Sequence, residues 1–216
     1  MGTEQRVREA IYRYLAGDKS YEDLLKTLPE IRGDLSRVRL AMEYILRGGD
    51  PEKISDLLSW RDFEEFVSKA MELSGMDVAR GIRAPPPRGF EIDVLGVDRV
   101  SGIAIMVDCK HWGRVRGISS ASASMIERAK RALSRCDFIA RILESFREAR
   151  ELYLAIVMLR ETSVRSHGNV FIVPIYRFRD FLQNIKLYSE ELGIEPLRNP
   201  CFSRYSLDSY LSKLSK

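Results

Sequence analysis

The sequence predicts a mixed α/β domain preceded by a small all-α segment. Three observations lead there. Residues 1–58 repeat apolar side chains at helical spacing between Gly-containing breaks. Two later runs, GIAIMVD and LYLAIVML, are apolar enough to be strands buried on both faces. From residue 59 the order reads helix, hairpin strands, helix, strand, strand, helix, which places helices on both faces of a short sheet.

In the first segment Val7, Ile11, Tyr14 and Leu15 mark a helix over 4–15, ended by Gly17-Asp18. Ser20 with Asp23 three residues on reads as a capping box opening YEDLLKTL. Leu35, Val38, Ala41, Met42, Ile45 and Leu46 predict a third helix over 34–47, stopped by Gly48-Gly49. Asp50 caps and Pro51 opens a fourth, through Leu58. This arrangement suits either a helix-turn-helix-like domain or a packing and dimerisation bundle.

Past residue 59, WRDFEEFVSKAMELSG places Phe63, Phe66, Val67, Ala70, Met71 and Leu73 on one helical face, with Gly75 at its end. The prolines of ARGIRAPPPRG exclude helix and a central strand. FEIDVLGVD alternates, Phe90, Ile92 and Val94 one way and Glu91, Asp93 and Leu95 the other. Met125, Ala129, Ala132, Cys136, Ile139, Leu143 and Phe146 form a stripe that predicts one long helix over 120–147. LYLAIVML (152–159) and VFIVPI (170–175) are strands joined by a polar loop, RETSVRSHGN, and RFRDFLQNIKLY is a closing helix.

The chain has 216 residues, 45% hydrophobic and 31% charged, a balance that excludes a largely disordered chain. No run approaches the ~18–20 uninterrupted apolar residues of a membrane helix. The first fifteen residues lack the apolar core of a secretory signal, and Arg6 stands where myristoylation wants Ser or Thr. Three widely spaced cysteines, Cys109, Cys136 and Cys201, with no zinc spacing, predict free thiols in a reducing, cytoplasmic setting. Net charge is −1 over 1–58 and +5 over the rest. Between Lys110 and Arg135 seven cations face one acid, Glu127, which is either a solvated face or a surface for nucleic-acid phosphates.

Asp93 lies in one predicted strand, and Asp108-Cys109-Lys110 ends the next. Asp108 and Lys110 share a strand face. If the strands pair, Asp93 comes beside Asp108, and two adjacent carboxylates repel unless a cation lies between them. Oxygen donors in that arrangement suit Mg²⁺ or Mn²⁺, and Lys110 is placed to offset charge on a phosphodiester. A strand-end ion pair is the plain structural alternative.

These residues resemble the PD-(D/E)xK nuclease superfamily, whose pattern is an acid in one strand and acid-x-Lys at the end of the next. Glu91-Ile92-Asp93-Val94 and Val107-Asp108-Cys109-Lys110 match it. Phe63-Glu64-Glu65-Phe66-Val67, followed by Gly75-Met76-Asp77-Val78, is similar to the opening of Mrr-type restriction endonucleases and Holliday junction resolvases. The resemblance covers about residues 60–185. Ile92 stands in place of the superfamily's proline, and Asp108 in place of its commoner Glu.

The resemblance implies a restriction-endonuclease-like mixed sheet flanked by helices over 59–216, and a metal-dependent DNA endonuclease of restriction, repair or junction-resolving type that leaves 5′-phosphates. It assigns Glu64, Asp93, Asp108 and Lys110 as catalytic. The metal ligands would be Asp93, Asp108, the Cys109 carbonyl and Glu64, directly or through a water. DNA contacts are expected from Trp112, Arg114, Arg116, Arg128, Lys130 and Arg131, and the assembly is expected to be a homodimer held by residues 1–58. A catalytically silent nuclease-like fold that binds nucleic acid or serves assembly is the other reading. No GxSxG nucleophile elbow accompanies His167, and no GxxxxGK[ST] phosphate loop is present.

Overall fold

The computed structural model describes residues 2–29, 36–110, 117–159 and 162–202. The chain divides into two compact units, Met1–Phe66 and Val67–Lys216. Among the described residues no helix is long and apolar enough to cross a membrane.

The first unit contains α1 (Thr3–Leu15), α2 (Tyr21–Thr27), α3 (Arg37–Leu46), α4 (Pro51–Ser55) and the start of α5 (Trp60–Leu73). The caps act as the sequence predicts: Ser20 Oγ accepts the Asp23 amide, and Asp50 accepts those of Glu52 and Lys53. α3 begins later than predicted, because Ser36 Oγ accepts the Arg39 amide and starts the helix there. α4 is shorter than predicted and ends at Ser55. Val7, Ile11, Leu15, Leu24, Val38, Ala41 and Ile54 are buried. Two arginines serve the helix ends, where carbonyls lack intrahelical partners. Arg8 donates to the carbonyls of Arg47 and Gly48, and Arg37 to those of Leu15 and Leu57.

The second unit is a seven-stranded mixed sheet flanked by helices. Its strands are β1 (Asp77–Ala84), β2 (Phe90–Asp98), β3 (Ile103–Lys110), β4 (Glu151–Met158), β5 (Ser166–His167), β6 (Val170–Pro174) and β7 (Leu197–Arg198). The order is β1-β2-β3-β4-β6-β5, with β7 beside β4. β1, β2 and β3 pair antiparallel, whereas β3, β4 and β6 run parallel. The central strands are apolar from Ile103 to Val107 in β3 and from Leu152 to Met158 in β4 because both faces are covered. On one face Ala104, Met106, Leu154 and Ile156 pack with Met125 and Ala129 of α6 (Ile118–Ser134) and Ile139 of α7 (Cys136–Ile142). On the other, the Phe171 ring lies tilted against Tyr153, 6.0 Å between centroids, and 5.0 Å from Phe181 of α8 (Phe178–Leu192).

Six expectations are corrected. Leu73, predicted on the apolar face of its helix, is 71% exposed. The predicted order has no strand before FEIDVLGVD, yet Asp77–Ala84 forms β1, an edge strand paired with β2 that ends before the prolines. The helix over 120–147 is broken at Arg135, whose backbone (φ −123°, ψ 34°) is not helical. Its guanidinium donates to the Pro85 carbonyl and lies over the Phe138 ring, so tertiary contacts hold the break. The apolar stripe nevertheless stays buried across it, through Cys136, Ile139 and Phe146. The 160–169 loop contributes a short strand, β5, paired with β6. The alternation of FEIDVLGVD slips by one residue: Phe90, Ile92, Leu95 and Val97 all belong to one core cluster. Finally, Cys136 and Cys201 are joined in a disulfide, not free thiols. Cys109 makes no disulfide.

Candidate active site

The strand slip positions the site. The β2–β3 ladder runs from Asp98↔Ile103 to Val94↔Val107. The ladder ends there, and the same register carried one step further sets Asp93 against Asp108, whose charge acts on it. The β1–β2 ladder continues on both sides of this point but omits the Gly81–Asp93 pair. Gly81 has φ +58°, a left-handed conformation that side chains resist, and nothing lies within 4 Å of where its Cβ would be. The bend in β1 thus coincides with the slip in β2. It leaves Asp93 partly buried between the buried Ile92 and Val94.

Asp93 Oδ2 accepts the Cys109 amide at 2.8 Å. Asp108 is only 2% exposed, and a cation faces each of its oxygens. Arg128 Nη2 donates to Oδ1 at 2.7 Å, and Lys110 Nζ lies 2.8 Å from Oδ2. The Lys110 contact is an ion pair without hydrogen-bond geometry, so Oδ2 is buried with no hydrogen bond. Burial raises the Asp93 pKa above the usual aspartate range, and the nearby Asp108 charge adds to it. The Cys109 amide, Lys110 and Arg128 oppose that shift.

Mg²⁺ or Mn²⁺ fits this donor set. Both ions prefer oxygen ligands, two carboxylates meet at one fork, and one buried carboxylate oxygen lacks a hydrogen bond. Cys109, whose carbonyl the resemblance assigns as a ligand, sits between Asp108 and Lys110 on the same strand end. Cys136, Asp137 and Cys201 also cluster, but two of those three potential ligands are consumed by the disulfide.

The other predicted residues distribute unevenly. Glu64 lies partly buried on α5, within the first unit. His111, Trp112, Arg114 and Arg116 lie outside the described residues. Lys130 and Arg131 are exposed on α6, Lys130 pairing with Glu127 at 2.8 Å. Arg128 departs from its predicted place among the exposed phosphate contacts: its side chain is 18% exposed and directed at Asp108. The sequence carried a signal for this. Arg128 follows Met125 by three and precedes Ala129, on the flank of the buried stripe. His167 is exposed at the end of β5.

No protein-family model matches the chain, and no curated protein matches it. Among solved structures it is similar to protein VC1899 from Vibrio cholerae, at 12% identity over 86% of this chain and 56% of that one, with a TM-score of 0.33. It is also similar to a chain of the Thermococcus gammatolerans McrB AAA+ assembly with bound McrC, at 14% identity over 85% of this chain and 52% of that one, with a TM-score of 0.33. The chain spans about half the length of each.

Proposed function

We propose that the protein is a metal-dependent endonuclease acting on DNA phosphodiester bonds. The observation that carries this reading is the meeting of Asp93 and Asp108 at the fork between β2 and β3, with Lys110 on the same strand end. A Mg²⁺ or Mn²⁺ ion held by these oxygens would supply Lewis acidity and an acidified water. Asp93 is oriented for that role by the Cys109 amide, and Asp108 by its flanking cations. In hydrolysis the oxygen of water bonds to phosphorus, the P–O3′ bond breaks, and a proton ends on the departing oxygen. The Lys110 ammonium is placed to stabilise the negative charge that develops on the phosphoryl oxygens. Lys130 and Arg131 add exposed positive charge for the DNA backbone. Cutting both strands with one site per chain calls for two copies, so the active form is a homodimer.

A second reading has one observation in its favour. Asp108 already has two cationic partners, as a catalytically silent, nucleic-acid-binding version of the fold would have. Incubating plasmid and branched DNA with Mg²⁺ or Mn²⁺ separates the two. The endonuclease reading expects cleavage that Asp108→Asn and Lys110→Ala abolish. Binding without cleavage, weakening steeply with salt, supports the silent module.

A further inference from the structure

We infer that Arg128 is the resident counter-ion of this site, and that a divalent cation binds at full affinity only as Arg128 gives up Asp108. The inference rests on the metal site proposed above, and it concerns what that site does before a metal arrives.

Charge supplies the first argument. Asp93 and Asp108 contribute two negative charges at most, and Lys110 and Arg128 two positive ones. Among the described residues of this unit the fork is therefore already compensated. A dication entering it meets a neutral or positive site, and binding is favoured only if a positive group moves away.

Geometry identifies which group moves. Asp108 is 2% exposed and cannot stand ionised without a partner, so something must hold it when no metal is bound. Arg128 does so through a 2.7 Å hydrogen bond to Oδ1. Yet Arg128 Nε is itself buried without a hydrogen-bond partner, so Asp108 holds the guanidinium and no dedicated cage surrounds it. Lys110, two residues after Asp108 on the same strand end, is the cation that the proposed reaction keeps at the phosphoryl oxygens. Arg128 comes from α6, twenty residues on, and its long side chain can leave without disturbing the strand pair.

Arg128 holds Oδ1 and leaves Oδ2 open, so it competes with the cation through charge and not for one oxygen, and the coupling is reciprocal: whatever Arg128 contributes to holding Asp108 is subtracted from cation affinity. Arg128 is accordingly a positioning residue, set against the metal, and not a phosphate contact in the resting protein.

The test is a calorimetric titration of the full chain with MnCl₂, with circular dichroism to confirm folding. Arg128→Gln should bind Mn²⁺ about tenfold more tightly than wild type. Arg128→Lys, which keeps the charge, should stay near wild type, and Asp108→Asn should lose binding in either background. In wild type, the Arg128 Nε–H resonance should lose its protection from solvent exchange as Mg²⁺ is added, a readout that needs no variant. Equal Mn²⁺ affinity in wild type and Arg128→Gln, with binding still lost in Asp108→Asn, overturns the role of Arg128 and leaves the metal site standing. Binding by Arg128→Gln alone supports the inference and retires the active-enzyme reading. Binding by neither overturns both.

Discussion

Asp93 Oδ2 accepts the backbone amide of Cys109 at 2.8 Å, one step beyond the last ladder pair of β2 and β3. A strand carbonyl would ordinarily accept that amide. Here a carboxylate does, so the bond that satisfies the end of β3 also fixes the orientation of the acid opposite Asp108. Fork and site are one structural feature.

Asp93 should make metal-free stability depend on pH. Its folded pKa is raised above the ordinary 3.8, chiefly by burial. Below 3.8 both folded and unfolded forms are protonated and no penalty exists. As pH rises through the folded value, the native state must ionise a partly buried acid, and stability falls. In chelator, Asp93→Asn should therefore raise the unfolding midpoint at pH 7, with the gain vanishing in acid. A gain that grows on acidification would contradict the burial account.

Asp108→Ala should cost about 3–5 kcal/mol, because it strands a largely buried guanidinium. The double variant Asp108→Ala/Arg128→Met should recover part of that loss, since the unpaired charge is gone. Urea denaturation of both single variants and the double measures the coupling. Additive losses would mean that Asp108 and Arg128 do not interact in solution.

Gly81 should resist substitution by its backbone, not by crowding, since no atom stands near its absent Cβ. Gly81→Ala should lose about 1–2 kcal/mol at φ +58°, and Gly81→Asn less, because Asn tolerates that conformation better. Equal losses in the two variants would point to a different cause.

Asn199 is 2% exposed and fastens the chain after β7 to the segment before β4. Its amide donates to the Phe146 and Ala149 carbonyls, and its oxygen accepts the Cys201 amide. Asn199→Ala should lower stability by about 2–3 kcal/mol, because it leaves buried backbone groups without partners. A loss below about 0.5 kcal/mol, the ordinary range of surface substitutions, would show that these bonds are dispensable.

The Cys136–Cys201 bridge spans 65 residues of sequence. Reduction, or Cys201→Ser, should cost about 2–4 kcal/mol, mainly by freeing the unfolded chain. Chemical denaturation with and without dithiothreitol reads this directly, and superimposable curves would indicate that the two thiols are not joined.

Periodicity and turn chemistry in the sequence were enough for the α/β class, for most of the helices and strands though not the edge strand β1, and for the Ser20 and Asp50 caps, because each follows from interactions within a few residues. The same local rules placed Asp93 and Asp108 on successive strands. They could not show that β2 slips at Asp93, because that depends on the left-handed Gly81 of a neighbouring strand. Nor could they break the 120–147 helix at Arg135, whose guanidinium bonds the Pro85 carbonyl fifty residues earlier. Pairing Cys136 with Cys201 required the segment after β7 to return beside α7. Arg128 lies on the flank of a buried stripe in sequence, but its partner is a carboxylate at the end of β3. Local energetics determine what each segment is; only packing brings distant side chains close enough for charge and hydrogen bonding to decide what they do.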